Sequence, residues 1–201
     1  MVDGPDVREL RPAEVGEAIE VVARGMRDNP QHVAAYGDDP ERRLRCHARL
    51  ARAFFHVFDA QEPLCATQDG KLVGVTGVAP PGTCRPHALQ RLRLLPPLIA
   101  LGPRTAARVG TWLTAWERRD PDEPHAHLGP LAVDAHLQRQ GIGSAIMREH
   151  CRRLDAARVV GYLETDKPEN VGFYERFGYE VIGEETVIGV HDWYMRRAPA
   201  G

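Results

Sequence analysis

The feature that most constrains the fold of this chain is a glycine-rich turn between an apolar strand and a helix. Residues 133–144 read VDAHLQRQGIGS, and Gly141 and Gly143 remove side chains where backbone N–H groups would point into the turn. Such N–H groups, supported by the dipole of the helix that follows, form an anion site suited to a pyrophosphate. A phosphate-binding loop requires this strand–turn–helix context.

Two common phosphate loops do not match this turn. A dinucleotide fingerprint needs a third glycine where Ile146 stands, and a Walker loop needs Gly-Lys-Ser/Thr, which does not occur in the sequence. The alternative interpretation is a glycine-rich helix start that binds no ligand. The turn alone therefore predicts a phosphate site that is neither a dinucleotide fingerprint nor a Walker loop.

Charge and hydropathy exclude several classes of protein. Lys and Arg number 26 against 28 Asp and Glu, a net charge of -2, which argues against a nucleic-acid partner. The most apolar run, residues 94–101, is far shorter than the roughly 20 apolar residues of a membrane span. The first ten residues lack the apolar stretch of a signal peptide. We therefore expect a cytoplasmic protein with no membrane partner, folded as a single domain over residues 1–201.

The cysteines and histidines give no metal-binding pattern. The four cysteines are scattered, and none forms a CxxC pair or has a histidine at ligand spacing. Free, reduced thiols are the expected state in a cytosolic protein. His125 and His127 lie on one face of a predicted strand, but two ligands without a third are weak support for a metal. We therefore predict no metal site.

Hydrophobic periodicity and turn signals predict alternating strands and helices. Residues 39–41, Asp-Pro-Glu, favour a helix start, and Asp69-Gly70 favours a hairpin turn. Residues 83–120 are Arg-rich and helical in pattern, which predicts an insertion of two or three short helices. The predicted strands are residues 7–10, 64–67, 71–78, 125–133, 159–165, 179–190 and 192–197, and the predicted helices are 12–26, 40–58, 142–157 and 169–177.

A second informative segment, residues 162–179, reads YLETDKPENVGFYERFGY. A strand ends at Thr165, a short helix beginning near Asn170 carries Tyr174, and Gly178 is suited to cap its end. Together with the glycine-rich turn, this segment resembles the GNAT (GCN5-related N-acetyltransferase) superfamily. The acetyl-CoA motif of that superfamily, Q/R-x-x-G-x-G/A, is matched by Gln138, Gly141 and Gly143. Its second motif, an Asn followed by Y-x-x-x-G-F/Y, is matched by Asn170, Tyr174, Gly178 and Tyr179.

The matching motifs cover about residues 125–197. Within them, residues 163–165 (Leu-Glu-Thr), the run FYERFGY and Trp193 look most like the puromycin N-acetyltransferase branch. The N-terminal half is compatible in element order but supplies no signature.

The resemblance implies an α+β fold with a mixed, mostly antiparallel sheet flanked by helices and splayed between strands 4 and 5, with the helical insertion before strand 4. Acetyl-CoA would enter at the splay, where Gly129-Pro130 fits because proline gives no N–H to a ladder. Many members dimerise, so a homodimer is one assembly open to this chain. The implied cofactor-binding residues are Leu131, Ala132, Val133, Gln138, Arg139, Gln140, Gly141, Ile142, Gly143, Ser144, Asn170 and Tyr174.

The implied reaction is direct attack of an amine on the thioester of acetyl-CoA. Tyr174 is the expected catalytic acid for the departing thiolate, because a phenol still carries its proton at neutral pH. A backbone N–H of strand 4, at Leu131 or its neighbour, would hold the oxyanion. Glu164 is the expected catalytic base, at the end of a strand that faces the splay. His127 and a water chain are the alternatives.

The expected acceptor is the primary amine of a small molecule. Residues 160–192 hold eight acids and two bases, which favours a cationic amine, whereas the Arg-rich insertion would favour an anionic group. Two alternatives stay open: a protein or peptide N-acetyltransferase, and an acyl-CoA-binding sensor without turnover.

Overall fold

The computed structural model describes residues 4–58 and 62–200, in which seven strands form one sheet with helices on both faces. Within these residues, no helix has the length and apolar character to span a membrane. The strands are β1 (Asp6–Glu9), β2 (Leu64–Gln68), β3 (Lys71–Ala79), β4 (His125–Val133), β5 (Val160–Thr165), β6 (Glu180–Val187) and β7 (Val190–Arg197). The helices are α1 (Val15–Met26), α2 (Pro30–Tyr36), α3 (Pro40–Val57), α4 (Ala88–Ile99), α5 (Pro103–Arg119), α6 (Ile142–Ala157) and α7 (Pro168–Glu175).

The sheet has the order β1-β2-β3-β4-β5-β7-β6, and every neighbouring pair is antiparallel except β4 and β5. That parallel pair is short, because it joins only residues 125–127 of β4 to residues 160–162 of β5. From Leu128 to Val133, β4 stays paired with β3, across a register shift between Leu128 and Leu131, but has no ladder partner on the β5 side within the described chain. The predicted α+β fold with a sheet splayed between strands 4 and 5 is confirmed.

Alternation along β2 explains how the sheet separates two apolar layers. Cys65 packs into a cluster with α1 and α3, whereas Leu64 and Ala66 pack into a cluster with Ile142 and Ile146 of α6. Successive side chains of a strand point to opposite faces, so β2 contributes to both layers. The sheet is therefore covered by α1 and α3 on one face and by α6 on the other.

The predicted helix over residues 142–157 agrees with α6 at both ends, and the predicted insertion contains two helices, α4 and α5. The prediction of short helices there is wrong for α5, which has 17 residues. Helix α4 also continues through Pro96 and Pro97 instead of ending before them.

Two other features differ from the sequence-based predictions. The sequence predicts a helix end at Asn29-Pro30 but not helix α2, which begins at once because Pro30 occupies its first position. The last hairpin turns at Ile188-Gly189, with φ of 47° and 87°, and not at residue 191. Isoleucine is poorly suited to positive φ, so the sequence carries only the glycine as a signal for this turn.

The end of β4 lies in close contact with α1. A Cβ atom placed on Gly25 would collide with the backbone carbonyl oxygen of Val133. Because the obstacle is backbone, no side-chain rotation could relieve the collision. The amide of Gln138 donates to both carbonyls, at 2.9 Å to Gly25 and 3.2 Å to Val133. This contact fixes the end of β4 and the turn after it against α1.

Asp192 of β7 connects α2 and α5 through buried hydrogen bonds. Its Oδ2 accepts from Nε2 of Gln31 at 2.6 Å and from Nε1 of Trp116 at 3.0 Å. Burial of the carboxyl raises its pKa to about 6 against these two hydrogen bonds, and the nearby carboxylates of Asp166 and Glu164 add to the rise. The insertion is thus held to the sheet by an acid that resists ionisation.

We predict that Gly25→Ala destabilises the chain by about 1–3 kcal/mol, because the methyl group must displace α1 from the backbone of β4. Gly16→Ala is the matched control, since Gly16 lies in the same helix with open space around its Cβ position. The control should be neutral or stabilised by up to about 1 kcal/mol. Urea unfolding measures both variants, and equal free energies of unfolding would contradict the proposed contact.

We also predict that Asp192→Asn changes how stability depends on pH. The raised pKa of Asp192 means that the folded chain holds this proton more tightly than the unfolded chain, so its stabilisation is present below about pH 4 and is lost as the pH rises through about 6. Between about pH 4 and pH 7, the free energy of unfolding of the variant should therefore rise by about 3 kcal/mol relative to that of the native chain. Asp69→Asn, at an exposed turn, controls for the substitution itself, and a difference that does not change with pH would refute the assignment.

Candidate active site

The splay between β4 and β5 opens into a cavity of about 290 Å³. Its walls come from the splayed strands, from α1 and α3, from α7 and from the insertion. Most lining side chains are apolar or aromatic, including three phenylalanines of α3 and the neighbouring segment and two tryptophans of α5. A cavity of this size, at the one place where the ladder opens, is the natural site for a small ligand.

Four of the residues predicted for the site line this cavity together: Leu131, Glu164, Asn170 and Tyr174. The alternative base, His127, lines it as well. They converge because Leu131 lies on the unpaired part of β4, Glu164 lies near the end of β5, and α7 begins three residues after β5 ends. Asn170 is oriented by its Nδ2, which donates to Oγ1 of Thr165 at 3.1 Å.

Tyr174 is buried in the wall of the cavity, with its ring against Phe173 and Tyr179. Burial raises the pKa of its phenol, and the nearby carboxylate of Asp166 raises it further. The hydroxyl therefore keeps its proton throughout the neutral and mildly alkaline range. A buried, protonated phenol at the edge of a cavity can donate a proton to a leaving group.

Glu164 is held by His127, whose Nε2 lies 2.8 Å from Oε2 of the carboxylate. Its other oxygen, Oε1, is buried and has no hydrogen-bond partner among the described residues. Burial of the His127 ring opposes its charge, but the carboxylates of Glu164 and Asp120 outweigh this and hold the pKa of His127 well above its usual value. His127 thus holds Oε2 of Glu164, whereas Oε1 is left to accept a further hydrogen bond.

Asp120 is a site residue that the sequence did not indicate. It lies directly after α5, and its Oδ1 is 3.0 Å from Nε2 of His125 and 3.3 Å from Nδ1 of His127. Its Oδ2 accepts from Cys84 at 3.1 Å and from Arg85 at 3.1 Å. Although burial opposes ionisation, these donors hold the pKa of Asp120 well below its usual range. The insertion therefore meets the sheet through a dense polar cluster.

The predicted phosphate turn lies at the N-terminus of α6, outside the lining of the cavity. Gly141 has φ of 87° and Arg139 has φ of 64°, and no side chain caps the first turn of the helix. The first N–H groups of a helix have no partner within it, so this end carries free donors and the positive end of the dipole. Ala132 and Ile142 are buried in the core, so their side chains are closed to a ligand.

Gly143 connects the turn to the cavity wall. A Cβ placed there would lie 3.6 Å from the ring of Phe173 and 3.7 Å from Val133, which is ordinary contact. The helix that carries Asn170 and Tyr174 therefore packs directly beside the start of α6. A ligand bound at the turn and reaching between β4 and α7 would arrive at Tyr174.

The lining of the cavity carries more acidic than basic side chains. Among the described lining residues, the carboxylates of Glu117, Asp120, Glu164 and Asp166 outnumber the basic groups of Arg85 and His127. Arg85 is itself bound to Asp120, and no other arginine of the insertion is among the described lining residues. The insertion thus contributes tryptophans and leucines to the wall instead of a positive surface.

A second set of wall residues was also missed. His32 and His47 pack edge to face with ring centroids 4.0 Å apart, and their four ring nitrogens have no partner among the described residues. Burial lowers the pKa of His47 to about 4 and lowers that of His32 well below its usual value, so both rings are neutral. They add hydrogen-bonding groups to an otherwise apolar wall. The sequence does not link the two histidines, because they lie 15 residues apart on two different helices.

Comparison with known proteins identifies the family. A family model described as acetyltransferase (GNAT) family matches residues 28–179. A structure from Corynebacterium glutamicum, described as histone acetyltransferase HPA2 and related acetyltransferase, has a TM-score of 0.72 at 17% identity, covering 99% of this chain and 98% of that one.

Two other solved structures share the fold. A GNAT acetyltransferase from Brucella melitensis in complex with acetyl-CoA has a TM-score of 0.57 at 17% identity and covers 98% of this chain and 90% of its own. The ribosomal-protein-S18-alanine N-acetyltransferase of Escherichia coli has a TM-score of 0.58 at 15% identity, with coverages of 98% and 97%. At these identities the likeness establishes the fold.

Proposed function

We propose that this chain, which belongs to the acetyltransferase (GNAT) family, transfers the acetyl group of acetyl-CoA to the primary amine of a small molecule by direct attack on the thioester. The family uses acetyl-CoA as its cosubstrate. The observation that carries the proposal is the convergence of Tyr174, Glu164 and the unpaired edge of β4 on one cavity.

The residues that would hold acetyl-CoA form a continuous track. The backbone N–H groups of residues 138–144 suit the pyrophosphate, since the start of α6 has free donors and no capping side chain. The unpaired edge of β4 suits the amides of the pantetheine arm, because the backbone groups of Leu131 and Val133 point away from β3, whereas those of Ala132 lie in the ladder with Val75. Asn170 and Tyr174 lie where that arm would end.

The chemistry assigns one task to each group. Holding the amine beside the thioester supplies much of the rate acceleration. A backbone N–H at Leu131 or its neighbour stabilises the oxyanion that forms on the carbonyl oxygen. Tyr174 gives its proton to the departing thiolate, and Glu164, oriented by His127, takes a proton from the amine directly or through a water molecule.

The cavity favours a small acceptor. A cavity volume of about 290 Å³ suits an acceptor of small-molecule size. The excess of carboxylates over cations in its lining favours an amine that arrives protonated, and the aromatic walls with neutral His32 and His47 favour an acceptor with a flat or apolar body. Glu164 and Tyr174 would have no task in a sensor without turnover.

A screen of amines, read by the release of free thiol from acetyl-CoA, tests this function. The panel should contain aromatic amines, puromycin-like nucleosides, polyamines and peptides. We predict turnover with a small aromatic amine, and a loss of kcat on the order of 10²-fold in Tyr174→Phe with an unchanged Kd for CoA. Tyr194→Phe is the matched control, because the Tyr194 hydroxyl is buried away from the cavity without a partner among the described residues, and it should keep full activity.

Three other outcomes of these measurements would change the proposed acceptor, the proposed turnover or the proposed acid. Turnover with peptides alone would replace the small-molecule acceptor by a peptide one. Tight CoA binding without turnover of any amine would favour the sensor. Equal kcat in Tyr174→Phe and the native chain would remove Tyr174 from the role of acid.

A pair of variants at residue 143 tests the pyrophosphate site. A Cβ fits there, so both Gly143→Asn and Gly143→Asp should fold, and they differ only in charge. A carboxylate at the start of α6 repels the pyrophosphate, so the Asp variant should bind CoA at least about tenfold more weakly than the Asn variant, or about 1.4 kcal/mol. Calorimetric titration measures both, and the difference should shrink at high salt. Equal affinities would place the pyrophosphate elsewhere.

A further inference from the structure

Four side chains on one wall of the cavity bring metal-binding atoms together. Cys84 follows β3, Asp120 follows α5, and His125 and His127 lie on β4. One donor atom from each lies within 4.8 Å of every other. The sequence predicts no metal here because the insertion separates Cys84 from the other three along the chain, and only the fold places the two ends of the insertion beside β4.

The distances between these atoms match a tetrahedral zinc site. Zinc binds N and O donors at about 2.0–2.1 Å and thiolate at about 2.3 Å, so tetrahedral geometry places N and O about 3.3 Å apart and S and N about 3.6 Å apart. Here Oδ1 of Asp120 lies 3.0 Å from Nε2 of His125 and 3.3 Å from Nδ1 of His127. Sγ of Cys84 lies 3.6 Å from Nε2 of His125.

In His125 and His127, the ring nitrogen that faces away from Asp120 already has the partner that a metal-binding histidine needs. Nδ1 of His125 lies 2.8 Å from the carbonyl oxygen of Glu123, and Nε2 of His127 lies 2.8 Å from the carboxylate of Glu164. A carbonyl oxygen only accepts, so Nδ1 of His125 is an N–H, and a carboxylate likewise favours an N–H on His127. In metal sites such bonds fix the tautomer and turn the lone pair of the other nitrogen towards the ion.

The two inner nitrogens, Nε2 of His125 and Nδ1 of His127, both face Oδ1 of Asp120, next to the thiol of Cys84. One cation at their centre would take a lone pair from each ring and from the carboxylate, while the thiol and the inner nitrogen of any charged ring would release their protons to solvent. Arg85, 3.1 Å from Oδ2 of Asp120, would remain as the partner of the second carboxylate oxygen.

We infer that Cys84, Asp120, His125 and His127 bind one Zn²⁺ ion, which fastens both ends of the insertion to β4. A thiolate and two imidazoles favour zinc over the hard cations magnesium and calcium. Four protein ligands complete a tetrahedron, so the ion has a structural role and leaves no open position for substrate. It would fix His127, which in turn positions Glu164 in the cavity.

Metal binding by the full chain without a histidine tag tests this inference. The protein is stripped with a chelator, dialysed against Zn²⁺ or Co²⁺, and analysed for bound metal. We expect one ion per chain, a higher Tm with the metal, and a thiolate-to-cobalt charge-transfer band in the Co²⁺ form. Cys84→Ser should lower the affinity for zinc by at least about 100-fold, since even loss of an outer partner costs 10–100-fold.

Cys46→Ser is the matched control, because Cys46 is a half-buried free thiol on α3 outside the cluster. It should bind one ion with native affinity. Alkylation followed by mass spectrometry provides a measurement on the native chain, in which zinc should protect Cys84 from modification and leave Cys46 unaffected. This measurement decides the question if Cys84→Ser does not fold.

Results of two kinds would overturn the inference, one from the native chain under alkylation and one from the Cys84→Ser variant or the Co²⁺ form. The first is a native chain that retains neither ion after dialysis and whose Cys84 is alkylated equally with and without zinc. The second is zinc binding of native affinity in Cys84→Ser, or a Co²⁺ form without the charge-transfer band. None of these measurements depends on acetyl transfer.

Discussion

The site depends on the separation of two parallel strands. The hydrogen bonds between β4 and β5 end at His127 and Tyr162, and beyond this point the edge of β4 is left without a partner among the described residues. An unpaired backbone group that is shielded from water costs about 1–3 kcal/mol, so such an edge is stable only where water or a ligand can satisfy it. The open ladder thus creates both the cavity and the backbone groups that an extended ligand would use.

The surrounding structure holds this opening in place. The contact of Gly25 with Val133 and the bonds of Gln138 fix one end of β4 against α1, and the cluster around Asp120 joins the other end to the insertion. These two contacts hold both ends of the strand where the ladder with β5 is open. The phenol and the carboxylate face the cavity that this opening leaves.

Local signals predicted the residues that we propose bind acetyl-CoA. Gly141 and Gly143 at a helix start, and Asn170 and Tyr174 on a short helix, follow from turn and capping chemistry within their own segments, and α6 has the predicted bounds. The wall that contains His47 and Asp120 could not be predicted, because only the packing of distant helices brings these residues to one cavity. The same applies to the cluster of Cys84 with the histidines of β4, whose members are separated by the insertion.

Acetyl transfer as proposed requires that the backbone amides after β4 bind a pyrophosphate and so place a thioester beside Tyr174. A crystal structure of the chain with CoA would test this arrangement. We expect pyrophosphate oxygens within hydrogen-bonding distance of N–H groups between residues 138 and 144, the pantetheine arm along the free edge of β4, and the sulfur next to the Tyr174 hydroxyl. CoA bound elsewhere, with this turn empty or filled by a side chain of the protein, would contradict it.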